Sequence, residues 1–243
     1  MTGLGCECRY LKDETTPTGT CAVCVVDAER SLVANLAAAN NYKLEHTKAN
    51  WDLVEKADVV YSAGFFITAC SEAMIEVAKH CAAAGKTYCM NISAPFLCEV
   101  PPFKAAITEL LPMVDILFGN ENEALSFAKS EGWETESIEE IATLISKIPM
   151  AEGKAPRMVV ITQGKDDTVV AQGGKVQTFP TPAVDAKEIV DTNGAGDAFV
   201  GGFMSQHVAG QPLADCVKAG CWAAGQIIRR SGCSFPEKCE YTA

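Results

Sequence analysis

Asp191-Thr192-Asn193-Gly194-Ala195-Gly196-Asp197-Ala198-Phe199 sets a glycine-rich turn directly ahead of an apolar run. Ala198, Phe199, Val200, Phe203 and Met204 follow one another as a helix would have them, which predicts a helix over 194–209. Gly194, Ala195 and Gly196 can then bring consecutive backbone N–H groups to an anion at the positive end of that helix. Asp197 falls in its first turn, beside whatever anion is held. An anion hole with an adjacent carboxylate suits phosphoryl transfer to a hydroxyl. The pattern alone also admits a plainer reading, because Asp is common in a first helical turn for its interaction with the helix dipole.

Outward from this turn the chain alternates short apolar segments with longer helical repeats. Residues 18–26 and 31–36 read as two β segments joined by the polar turn Asp27-Ala28-Glu29-Arg30. A buried strand is predicted over 57–62, and a helix from Ser71, with Met74, Val77, Ala78 and Cys81 on one face and Gly85 ending it. Strands over 86–92, 114–118 and 157–162 alternate with helices over 102–111, 120–129 and 137–148. A hairpin through Gly173-Gly174 joins 169–172 to 176–179, and a last helix covers 213–229 after the break Gly210-Gln211-Pro212. Repeated β-then-α units predict an α/β fold with a parallel sheet and helices on both faces. Ligands of such sheets sit beyond the carboxyl ends of the strands. Residues 91–93, 118–120, 162–164 and the Gly194 turn all lie at such ends, so one shared rim is expected.

The 243 residues are enough for one α/β domain with a substantial core, and a hydrophobic content of 48% fits a globular chain. Lys and Arg number 20 against 31 Asp and Glu, a net charge of −11. That balance argues against nucleic acid as a partner, which needs clustered positive charge. It does not exclude a nucleotide held by local donors and a metal. Twelve cysteines raise the question of a metal or disulfides. Cys21 and Cys24 have CxxC spacing, but they fall in a predicted strand, where residues three apart point to opposite faces, and no second CxxC pair exists. Free thiols in a reducing compartment are expected, with no membrane span.

The stretch from Asp191 to Met204 resembles the C-terminal signature of the ribokinase-type kinases, whose Gly-Ala-Gly-Asp holds an anion hole and a base. Three flanks narrow the resemblance to the adenosine kinase branch: 190–203, then Ile227-Ile228-Arg229-Arg230-Ser231-Gly232-Cys233-Ser234-Phe235-Pro236-Glu237-Lys238, and Ser31-Leu32-Val33-Ala34-Asn35-Leu36-Ala37-Ala38-Ala39-Asn40. The likeness runs from about Thr16 to the C-terminus. It implies a single three-layer ribokinase-like domain over 1–243, with a mostly parallel central sheet flanked by helices. Residues 1–15 lack the leading strand, the Gly-Gly turn and the lid strands of that family, together with an Asp that binds the ribose hydroxyls. An N-terminally incomplete domain is therefore expected, missing its first strands and most of its lid. The implied reaction is transfer of a phosphoryl group from ATP to the 5′-hydroxyl of adenosine, with Mg²⁺ as cofactor. A monomer without nucleic-acid or membrane partners, in the cytoplasm and also the nucleus, is implied for the complete protein. Two other outcomes are carried forward: a related sugar or nucleoside kinase, and a noncatalytic nucleotide-binding or interaction fragment.

Residue by residue, the resemblance makes Asp197 the general base and Gly194, Ala195 and Gly196 the anion hole. A helix N-terminus is expected to favour the ionised form of Asp197. Asn120 and Glu123 match an Asn-x-x-Glu motif that arranges Mg²⁺ and phosphate, with Glu123 expected to act through water. The same four residues also read as a capping box. Arg30 matches an Arg that reaches the phosphates. Thr162 and Gly164 match positions beside the nucleotide, and Asn193 a position near substrate and phosphates. Cys21, Leu32, Phe65 and Phe96 match the nucleoside pocket, where either Phe could stack on a purine. Cys221 stands where the family often has a His against the ATP base.

Overall fold

The computed structural model describes residues 5–26 and 29–242, with side chains given for all of these except 25, 26, 29 and 30. Two strands open the described chain, β1 (Thr20–Val26) and β2 (Glu29–Asn35), paired only with each other in antiparallel register. Glu29 and Arg30 thus belong to a strand rather than to the expected turn, whose residues 27 and 28 lie outside the described residues. Two short helices follow, α1 (Leu44–Ala49) and α2 (Trp51–Lys56), which carry too few periodic apolar positions to be legible in sequence. The β/α alternation then begins. It runs β3 (Val59–Ser62), α3 (Ile67–Ala83), β4 (Thr87–Asn91), α4 (Phe96–Glu99), α5 (Pro101–Leu110), β5 (Ile116–Asn120), α6 (Glu121–Ser130), α7 (Ile138–Lys147) and β6 (Met158–Gln163). The hairpin β7 (Asp166–Gln172) and β8 (Lys175–Phe179) leads to the closing helices α8 (Ala195–His207) and α9 (Leu213–Ile228).

Strands β3 to β8 form one six-stranded sheet in sequence order. The pairs β3–β4, β4–β5 and β5–β6 are parallel, whereas β6–β7 and β7–β8 are antiparallel. The sheet is therefore mostly parallel at the end that meets the site, with an antiparallel extension beyond it. Side chains alternate between the two faces with a period of two, and because helices cover both faces the central strands are buried over runs of three or four residues. Tyr88 and Met90 of β4, Leu117 of β5, Val159 and Ile161 of β6 and Val169 of β7 join the core made with α3, α5, α6 and α7. Cys89, Ile116, Phe118, Val160 and Val170 point the other way, into a second core closed by Phe199 and Phe203 of α8 and Val217 of α9. This is a three-layer α/β/α arrangement, the architecture the resemblance implied.

Local sequence explains where the elements stop. Gly85, at φ +67°, follows the last turn of α3, as a left-handed residue should after a helix. The predicted start at Ser71 falls within a longer helix, because α3 begins at Ile67 and kinks at Cys70, immediately before Ser71. Ser137 caps α7 by accepting the Glu140 N–H at 3.3 Å. Gly173 and Gly174, both at positive φ, make the β7–β8 turn. Arg157, fully buried just before β6, donates to the carbonyls of Val114 (3.1 Å), Ile145 (2.9 Å) and Leu111. It ties α7 to the loop ahead of β5 by satisfying backbone acceptors that a helix end leaves open. All twelve cysteines are free, and no helix among the described residues is long and apolar enough to cross a membrane.

Candidate active site

At the carboxyl ends of β3 to β6, where the α8 N-terminus faces the sheet, lies a cavity of about 410 Å³. Its wall includes Asn91 at the end of β4 and Ser93 just after it, Gly119 and Asn120 at the end of β5, Thr162 of β6, and Gly194, Gly196 and Asp197 at the start of α8. The rim expected from the strand ends is therefore assembled. Ile92 faces the core instead, and Gln163 and Gly164 turn with the chain into β7 and leave the cavity wall.

Gly194 is the N-cap of α8, with φ +76°, a conformation that costs a glycine nothing and strains other residues. The Ala195 N–H turns back to the Thr192 carbonyl at 3.3 Å, and the Asn193 N–H is taken by Asp191 Oδ1 at 2.9 Å. Neither Ala195 nor Asn193 lines the cavity. The donors left over are the Gly194, Gly196 and Asp197 amides, which have no hydrogen-bond partner among the described residues. Open amides at a helix N-terminus are suited to an anion. The open amides thus flank Ala195 rather than forming the expected consecutive run over Gly194, Ala195 and Gly196.

Asp197 sits among them with its side chain still open to solvent, and partial desolvation raises its carboxyl above the usual range. This reverses the expected direction: loss of water outweighs the benefit of the helix end. Glu123 is only 6% exposed. Burial pushes its carboxyl up to about 7, with the charges of Glu121 and Asp197 adding to the effect. The Asn120–Glu123 pair forms a reciprocal capping box for α6. Asn120 Oδ1 accepts the Glu123 N–H at 2.9 Å, and Glu123 accepts from the Asn120 N–H (3.1 Å) and Nδ2 (3.0 Å). Gly119 gives the carboxylate room, since a Cβ there would lie 3.3 Å from Glu123 Oε2. The phenol of Tyr61 on β3 is raised by burial first and then by the charge of Asp197, with Glu123 also contributing. Burial thus raises all three groups, and Glu123 and Tyr61 register the charge of Asp197 as well.

The nucleoside residues are brought together only in part. Phe65 lines the cavity, and Phe96 meets it edge-on with ring centroids 5.9 Å apart, without reaching the cavity wall. Cys21 and Leu32 stand exposed on the β1–β2 ribbon and do not line it, because that ribbon pairs with no strand of the main sheet. The side chain of Arg30 lies outside the described residues. Cys221 packs on the second core, its Sγ 4.0 Å from Thr168 Oγ1. Sequence reading missed Asn91 and Ser93 as individual site residues, along with Ala63 and Thr192; the strand-end rule was the signal that could have found them.

The pattern of the pfkB family carbohydrate kinases matches residues 2–239. The chain belongs to that family. Among pfkB-family relatives it is 52% identical over 242 residues to adenosine kinase 2 of Arabidopsis thaliana, covering 99% of this chain and 70% of that protein. It is 42% identical over 236 residues to the adenosine kinase of Schizosaccharomyces pombe, covering 96% and 69%. The solved structure of Anopheles gambiae adenosine kinase, in complex with a di(adenosine-5) tetraphosphate, superimposes with a TM-score of 0.87 at 45% identity, over 94% of this chain and 69% of that one. Adenosine kinase from Schistosoma mansoni in complex with adenosine and AMP gives 0.84 at 36% identity, over 94% and 67%. The pfkB-family chain described here is thus shorter than the relatives it matches.

Proposed function

We propose that this pfkB-family chain carries the phosphoryl-transfer site of an adenosine kinase, which moves the γ-phosphoryl group of ATP to the adenosine 5′-hydroxyl and yields AMP and ADP. The observation that carries the reading is the meeting of open α8 amides, Asp197 and Glu123 in one cavity at the strand ends. In this scheme the 5′-oxygen attacks the γ-phosphorus while the bond to the β-phosphate oxygen breaks. Asp197 accepts the hydroxyl proton, late in a loose transition state. The upward shift makes its ionised form a stronger proton acceptor than an ordinary aspartate. The Gly194 and Gly196 amides stabilise the charge that the transferring group spreads over its oxygens.

Magnesium fits the donor set, since the carboxylates of Glu123 and Asp197 share a cavity whose wall, among the described residues, carries no cationic side chain. Glu123 and Asn120 would hold the hydrated ion, whose role when bound is to offset phosphate charge. The deciding experiment is AMP formation from adenosine and Mg·ATP by the wild-type chain beside Asp197→Asn. The variant should lose roughly 10²–10⁴-fold in rate while binding ATP with similar affinity. Phosphorylation that survives the change removes Asp197 from the mechanism.

A second reading has its own support. Cys21 and Leu32 stand away from the cavity, so the phosphate side of the site is built while part of the expected nucleoside side is not. ATP binding without adenosine binding would make this chain a nucleotide-binding module.

A further inference from the structure

Asn91 ends β4 on the cavity wall, and the two ends of its amide are in different states. Its Oδ1 accepts the Gly64 N–H at 2.8 Å and also the hydroxyl of Ser93. A backbone N–H can only donate, so the Gly64 contact fixes which end of the amide is oxygen. Both lone pairs of Oδ1 are then taken. Nδ2 is the other end, and it has no hydrogen-bond partner among the described residues. What Asn91 can offer a ligand in the cavity is therefore N–H donors and no acceptor.

The setting is rigid. A Cβ at Gly64 would overlap the carbonyl oxygens of Asn91 and Ile92, so the ends of β3 and β4 are pressed together. On the other side, the Ile92 N–H continues the ladder to the Phe118 carbonyl of β5 at 2.9 Å. The amide is thus fixed from both neighbouring strands before any ligand arrives.

Holding this turn does not require asparagine. An aspartate would accept the same two bonds, and a charged acceptor makes stronger ones. It would also put a third carboxylate on a wall that already has Glu123 and Asp197. What asparagine adds is a donor on a wall where, among the described residues, no cationic side chain stands. The open amides of Gly194, Gly196 and Asp197 reach the same cavity from α8. Donors fixed in advance, at no cost of reorganisation, are the ones that stabilise anionic charge most.

We propose that Asn91 is a phosphate-binding residue, whose Nδ2 donates to an oxygen of the bound polyphosphate from the sheet side while the α8 amides hold it from the helix side. The inference rests on the reading of this cavity as a phosphoryl-transfer site. It assigns the phosphate chain, not the adenine or the ribose, as the group that Asn91 touches.

The test is calorimetric titration of the full chain with ADP in saturating MgCl₂. Asn91→Asp keeps the acceptor for Gly64 and Ser93 and removes the donor, whereas Asn91→Ala removes both. Each should bind ADP roughly tenfold more weakly, the scale of one hydrogen bond to a charged group. Asn91→Asp should melt closer to the wild type than Asn91→Ala does. A residue that only holds the turn predicts wild-type affinity in Asn91→Asp and a loss in Asn91→Ala. Weak binding in Asn91→Asp with wild-type affinity in Asn91→Ala would be charge repulsion alone. Either result overturns the inference, as does wild-type affinity in both. A second measurement uses the wild-type chain with isotope-labelled asparagine. The Asn91 side-chain N–H pair, identified by its proximity to the Gly64 N–H, should shift with ADP and with magnesium pyrophosphate, and stay in place with adenosine alone. No shift with ADP overturns the inference even where neither variant folds. Failure of the wild-type chain to bind ADP overturns the phosphoryl-transfer reading as well. ADP binding that survives both variants, beside an inactive Asp197→Asn, overturns this inference alone.

Discussion

Glu123 and Asp197 are acids that the fold has partly dried, and both carry a consequence for stability. The Glu123 carboxyl moves from an ordinary 4.5 to about 7 on folding. Between those values the folded chain retains a proton that the unfolded chain has released. The corresponding stabilisation is complete below about pH 4.5 and is lost as pH rises through 7, amounting to about 3 kcal/mol at most. Asp197 acts in the same direction. Urea unfolding at pH 5 and pH 8, without magnesium or nucleotide, should show the wild type weakening toward pH 8 and Glu123→Gln changing much less. The Asn120–Glu123 box was legible in sequence because its partners lie three residues apart on one turn. Its burial was not, since the walls around it come from Gly119, Ile92 and the α8 turn.

The pairing of α8 and α9 depends on two glycines that sequence periodicity treats only as weak helix formers. A Cβ at Gly202 would lie 2.4 Å from the Ala219 carbonyl oxygen, and one at Gly220 would lie 2.8 Å from the Phe199 ring. These close approaches seat α8 against the sheet, where Phe203 meets Phe118 edge-on at 5.3 Å. The same packing aims the Gly194 end of α8 at the cavity. Gly202→Ala should destabilise the chain by about 2 kcal/mol, because a backbone carbonyl cannot rotate away from the added methyl. Gly201→Ala, on the same helix but facing open space, should instead stabilise by up to about 1 kcal/mol. Thermal melts of the two variants should move in opposite directions. Helix α8 was readable from its apolar spacing, whereas the unequal importance of its two adjacent glycines follows only from which one faces α9.

Across the whole molecule, the twelve thiols divide by layer. Cys6, Cys21, Cys24, Cys233 and Cys239 are exposed, while Cys81, Cys89, Cys98 and Cys216 are buried. Burial pushes the Cys89 and Cys98 thiols up to about 12, which removes the reactive thiolate at neutral pH. A chromogenic disulfide reagent should titrate the five exposed thiols first. The four buried thiols should respond only when urea unfolds the chain. Fast reaction of all twelve in native buffer would contradict the two-core arrangement. Composition could count these thiols but not sort them, since the sorting is set by strand register and by which helices cover each face.

The sequence by itself determined the order of strands and helices, the mostly parallel sheet, the glycine turn before α8 and the Asn120–Glu123 cap. All of these depend on neighbours a few residues apart, through side-chain periodicity, turn conformation and capping. Tertiary structure alone decided that Cys21 and Leu32 stand clear of the cavity and that Arg157 is buried among carbonyls. It also decided that desolvation overrides the helix end at Asp197. The physical reason is that desolvation and hydrogen-bond partnership belong to distant segments brought into contact, and no local pattern records which segments those are.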